Sequence, residues 1–137
     1  MGKKQTRSEA REEAFKLIFQ MQVNNEEPQF LIDEMLSEHP ESQVNINYIK
    51  TAVLGVIEKN DELIADITNN LVKGWTVSRI SKVSLAVLKL AIFEIKYIED
   101  VPTKVAINEA VELEKKFDDP DNSAFVNGVL GGFVKSL

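Results

Sequence analysis

The chain has 137 residues, 44% apolar and 28% charged, the proportions of one globular domain or of two small subdomains sharing a core. It carries 16 Lys and Arg against 22 Asp and Glu, no Cys, and a single His, His39, in a Glu/Ser/Pro-rich stretch. That composition excludes a disulfide framework, thiol catalysis, Cys-based zinc sites and His-pair metal motifs, and it points to a binding protein rather than a hydrolase.

The chain reads as helices throughout. Thr6 or Ser8 can cap a first helix running to about Val23, with Ala10, Ala14, Leu17, Ile18 and Met21 on one face and Phe15 and Phe19 widening it. Arg7 and Arg11 lie one turn apart and can project together beside that face. Pro28 opens a short second helix marked by Phe30, Leu31, Met35 and Leu36 and ended near Pro40. Residues 45–72 predict a helix pair, the first on Ile49, Val53, Val56 and Ile57, the second on Leu63, Ile64, Ile67, Leu71 and Val72. Gly74-Trp75 closes the first half, and Thr76–Arg79 predicts a short link.

Val83–Ile98 is apolar on nearly all sides, interrupted by Lys89, Glu94 and Lys96. A helix of that kind belongs at the centre of a bundle. No run of about 18 apolar residues occurs, so no membrane span is expected, and no apolar segment at the N-terminus marks a signal peptide; a cytoplasmic protein follows. Pro102 starts the next helix, which carries Val105, Ala106, Ile107, Ala110, Val111 and Leu113 and ends near Phe117. Within it, Asn108-Glu109 predicts a buried polar pair holding helices in register. Asn122 or Ser123 caps a last helix with Phe125, Val126, Val129, Leu130, Phe133 and Val134. Asn127-Gly128 is also a hairpin signature, but the apolar positions continue at helical spacing to Val134, so Gly128 predicts a close backbone approach instead. Leu88, Ile92, Ile95, Ile107, Val111, Phe125 and Val129 are expected to share the C-terminal core.

No phosphate loop, dinucleotide fingerprint, HExxH or GxSxG motif is present. Charge is unevenly spread. Lys3, Lys4, Arg7 and Arg11 face only Glu9 over residues 1–11, whereas residues 24–49 hold Glu26, Glu27, Asp33, Glu34, Glu38 and Glu41 with no Lys or Arg. Trp75 can anchor a core or stack a base.

Asp100-Val-Pro-Thr-Lys-Val-Ala-Ile-Asn-Glu-Ala-Val-Glu-Leu113, then Phe117 and Ser123-Ala-Phe-Val-Asn-Gly-Val-Leu130, closely resembles the C-terminal signature of the NusB family of transcription antitermination factors. Ala10-Arg-Glu-Glu-Ala14 with Leu17-Ile-Phe-Gln20 resembles that family's first helix, and Trp75, Arg79-Ile80, Val83 and Leu88–Ile95 its middle segment. The resemblance implies an all-α fold of two packed three-helix-type bundles. With the elements above this gives about seven helices in two subdomains, residues 1–74 and 75–137, forming a single compact unit.

It further implies a non-enzymatic adaptor without cofactor or metal. Such a protein binds the boxA element of nascent ribosomal RNA leaders together with a small-subunit ribosomal protein, NusE, and joins other Nus factors on RNA polymerase. By the same resemblance, Lys3, Lys4, Arg7, Arg11 and Phe19 form the RNA face, joined by Asn122 and Phe125. Arg79, Ser84, Leu85 and the exposed side of the helix through Lys89 form the partner face. Many relatives carry an acid and then Arg where this chain has Ser84-Leu85, and Ser8-Glu9 makes the basic arm less Arg-rich. An arm of so few cations is weak for RNA alone, since phosphate contacts give affinity and base contacts specify, so a partner completes the site. Two rival readings are a purely protein-binding module using the acidic 24–49 face, and the helical domain that precedes the catalytic part of RNA-modifying methyltransferases.

Overall fold

The computed structural model describes residues 4–137, and every regular element among them is helical. Two compact units are present, one ending at Glu58 and one spanning Lys59–Leu137.

In the first unit, α1 (Arg7–Asn24) begins at a reciprocal capping box. Thr6 Oγ1 accepts from the Glu9 backbone N–H at 3.1 Å, and Glu9 Oε1 accepts from that of Thr6 at 2.8 Å. Thr6, not Ser8, is therefore the cap. The helix stops at Asn25, which takes the left-handed conformation at φ 54°. α2 (Pro28–Glu38) follows with Pro28 in its first turn, then a 3₁₀ segment (Pro40–Asn45) and α3 (Ile46–Glu58). Ala10, Ala14, Leu17 and Ile18 of α1 share the core with Leu31, Ile32 and Met35 of α2 and Ile49, Ala52, Val53 and Val56 of α3. Met21 is only half-buried and Ile57 is exposed, at the edges of the faces expected for them.

The second unit holds α4 (Asn60–Thr68), a 3₁₀ turn (Val77–Arg79), α5 (Lys82–Tyr97), α6 (Thr103–Phe117), a 3₁₀ turn (Pro120–Asn122) and α7 (Ser123–Lys135). The boundary thus falls after Glu58 rather than at Gly74, because α4 packs on α5 and α7. The second bundle consequently gathers four helices. α5 is its axis: Ala86 to Glu94 is buried without a break, and the helix packs on α4, α6 and α7.

Leu88, Ile92 and Val129 lie in this core, as expected, but Ile95, Ile107, Val111 and Phe125 are half-buried. α6 turns Ala106, Ala110 and Leu113 inward, leaving Ile107 and Val111 one step round the helix at the rim. Asn108 is exposed and lines an open groove of about 510 Å³ with Asn127, so the expected buried polar pair is not formed. Asn127-Gly128 is helical, and a side chain at Gly128 would meet no neighbour within 4 Å. The close approach is at Gly132 instead, where an added Cβ would stand 2.9 Å from Asn70 Oδ1.

Candidate nucleic-acid interface

The basic start of the chain is tied down just before α1. Gln5 is buried; its Nε2 donates to Ser42 Oγ at 2.7 Å, while Asn45 Nδ2 donates to Gln5 O at 3.2 Å and to Gln5 Oε1 at 3.0 Å. Lys4 therefore leaves the surface from a fixed point and is exposed, as is Arg7. Lys3 lies outside the described residues. The Arg7 guanidinium sits 4.5 Å from the centroid of the Tyr48 ring, and that of Arg11 5.8 Å from the same ring. Tyr48, on α3, is buried, and cations over such a ring gain about 0.5–2 kcal/mol.

The two arginines differ in what they can offer a ligand. Arg11 is only 3% exposed, so it is a structural cation inside the first unit and not the surface cation expected. Helical spacing places Arg7 and Arg11 side by side, but nothing local reveals that the ring of Tyr48, from another helix, meets both guanidinium groups. Phe19 is half-buried, its ring 6.3 Å from that of Phe15. The carboxylates Glu26, Glu27, Asp33, Glu34, Glu38 and Glu41 are all exposed.

In the second unit, Asn122 closes the 3₁₀ turn before α7 and is half-buried, its Nδ2 donating to Asp118 Oδ2 at 3.4 Å. Phe125 follows one turn later, half-buried, with its ring 6.1 Å from that of Trp75 and tilted by 34°. The exposed Arg79 places its guanidinium 5.0 Å from the Trp75 ring.

The expected partner face is corrected at two positions. Ser84 is buried, its Oγ donating to Glu114 Oε2 at 2.6 Å, and Lys89 is also buried. Burial pushes the Lys89 ammonium below its ordinary pKa, and the charge of Lys82 adds to the shift. The axial position of α5 is the reason: flanked by three helices, it has no open side through Lys89. Arg79 remains exposed and Leu85 half-buried.

Beside Ser84 stands a carboxyl pair that sequence reasoning missed. Glu114 is fully buried, and that burial pushes its carboxyl up to about 7; the Ser84 bond opposes the shift and Asp118 adds to it. Asp118 has the opposite fate. Against the cost of burial, bonds from Ser81 Oγ (2.6 Å), the Asp119 backbone N–H (2.9 Å), Glu114 and Asn122 hold it below its usual range. Glu114 Oε1 is buried without a hydrogen-bond partner among the described residues, so burial, with Asp118 nearby, favours the protonated form of Glu114.

The NusB family model matches residues 8–135, nearly all of the chain. The chain belongs to the NusB family. Transcription antitermination protein NusB of Limosilactobacillus reuteri is 44% identical over 127 residues, covering 93% of this chain and 91% of that protein. The protein of the same name from Clostridium novyi is 38% identical over 132 residues, covering 95% and 98%. Among solved structures, NusB of T. maritima superposes with a TM-score of 0.84 at 27% identity, covering 97% of this chain and 93% of that one. A complex of antitermination factors NusB and NusE with double-stranded RNA gives a TM-score of 0.86 at 25% identity, covering 96% and 97%.

Proposed function

We propose that the chain is a cytoplasmic, RNA-binding transcription antitermination factor that acts by binding rather than by catalysis. With NusE it takes the boxA element of a nascent ribosomal RNA leader, and with other Nus factors and RNA polymerase it suppresses premature termination. The observation that carries this reading is the relative solved with both NusE and RNA, matched over 96% of this chain. Lys3, Lys4 and Arg7 supply the phosphate contacts, while Phe19, Asn122 and Phe125 meet bases. Arg11 supports Arg7 through Tyr48. Arg79 and Leu85 are the accessible part of the NusE face, with Ser84 and Lys89 holding α5 beneath it. The exposed carboxylates on and around α2 repel RNA and confine it to the basic arm.

Three cations neutralise about three phosphates, a single-strand salt slope of roughly −2, too shallow to give tight binding alone. A second basic surface supplied by NusE extends the footprint and adds base contacts. The test is a titration of boxA RNA and of a scrambled RNA at two salt concentrations, with and without NusE. The complex is expected to separate the two RNAs by about tenfold or more beyond what the lone chain achieves. Lys4→Glu with Arg7→Glu is expected to weaken boxA binding by about tenfold or more while leaving the helical circular dichroism intact, since both side chains are exposed. Equal discrimination with and without NusE, or unchanged affinity after the charge reversal, overturns the reading.

A further inference from the structure

We propose that Trp75 is a second nucleobase-stacking side chain, extending the surface begun by Phe125; the proposal rests on the RNA-binding reading above. Trp75 is 43% exposed, although its ring offers more apolar area for burial than any other side chain. The ring is nonetheless held on two sides, by Phe125 at 6.1 Å and by the Arg79 guanidinium at 5.0 Å. A side chain that is fixed but uncovered loses little freedom when a ligand stacks on it.

The backbone presents it deliberately. Gly74 takes φ +93°, where any other residue is strained, and the Trp75 N–H closes the turn on Val72 O at 3.0 Å. The 3₁₀ turn Val77–Arg79 then brings Arg79 back over the ring.

The charge carried by its own stretch of chain favours an anionic ligand, set against the exposed Asp119 and Asp121 that precede Phe125. Between Asp66 and Glu94 the chain holds Lys73, Arg79, Lys82 and Lys89 and no acid, within a protein of net charge −6. Lys73, Arg79 and Lys82 are exposed. Aromatic rings beside cations are how unpaired bases are held, by stacking on ring faces and guanidinium planes while phosphates meet the charges. The rings of Trp75 and Phe125 stand 6.1 Å apart, tilted by 34°, a spacing that neighbouring bases of a single strand can reach.

The chain contains one Trp, so its emission reports on this ring alone. Full-length protein is titrated with single-stranded boxA RNA, with and without NusE, following Trp75 emission and, separately, the anisotropy of labelled RNA. Emission is expected to be quenched with the same midpoint as the anisotropy. Trp75→Ala is expected to weaken RNA binding by about 5- to 100-fold, and Trp75→Phe to retain most of it, with unfolding midpoints near the parent's. If anisotropy reports binding while emission stays constant and Trp75→Ala binds as the parent does, the Trp75 proposal falls and the RNA-binding function stands. If no RNA binds even with NusE, the function itself falls and takes the proposal with it. If emission responds to NusE alone and Trp75→Ala weakens only that contact, the ring is a protein contact and the proposal is overturned.

Discussion

Ile92→Ala is expected to lower the free energy of unfolding by about 2–5 kcal/mol. Ile92 is fully buried midway along α5, the helix that packs on α4, α6 and α7 at once. Removing its outer carbons leaves a cavity that three neighbouring helices would have to move to fill, and an interior packed at crystal density collapses only in part. Ile95→Ala is the matched control. It lies three residues on in the same helix, removes the same atoms, and is only half-buried, so its loss is expected to be the smaller of the two. Urea unfolding checks both, with the midpoint shifted and the slope unchanged if the native and unfolded states keep their compactness. A loss below about 1 kcal/mol for Ile92→Ala would mean that α5 is not the axis of the second unit.

The helices were legible because their signals are local. A cap at Thr6, prolines at helix starts at Pro28 and Pro102, and apolar residues at helical spacing are all written within one element. The all-round apolar pattern of Val83–Ile98 likewise announced an axial helix. What the sequence hid depends on where one element meets another. Arg11, Ser84 and Lys89 read as surface residues by type, yet each is buried by helices distant in the chain. The division of the units was misplaced for the same reason: Gly74 is a local break, but α4 belongs with α5 and α7 by packing. In the site, the family resemblance supplied Arg7 and Phe125. Trp75 was legible as a ring able to anchor a core or stack a base, but Tyr48, whose ring lies 4.5 Å from the Arg7 guanidinium, and the pairing of Trp75 with Phe125 at 6.1 Å depend on elements distant in the chain.

Glu114→Gln is expected to stabilise the protein above neutral pH and to make little difference in mild acid. Unfolded, Glu114 titrates near 4.5; folded, it titrates near 7. Between those values the folded state holds a proton that the unfolded state has released, so the stability contributed by this group falls as pH rises through the window. Asp118 adds no slope there, because its folded pKa lies below its ordinary 3.8 and it is ionised in both states. Gln reproduces the protonated carboxyl. Its amide oxygen accepts from Ser84 Oγ as Glu114 Oε2 does, and its uncharged amide takes the place of the neutral acid. At about pH 8 the parent pays for a buried anion beside a second carboxylate, whereas the variant does not, and the variant is expected to be more stable by about 1–3 kcal/mol. Near pH 5 both chains carry a neutral side chain at 114 and the difference closes. Unfolding both proteins across this range separates the titration from any change in packing, since a packing effect is the same at every pH. A difference that does not grow between pH 5 and pH 8 would show that Glu114 is already ionised in the folded protein.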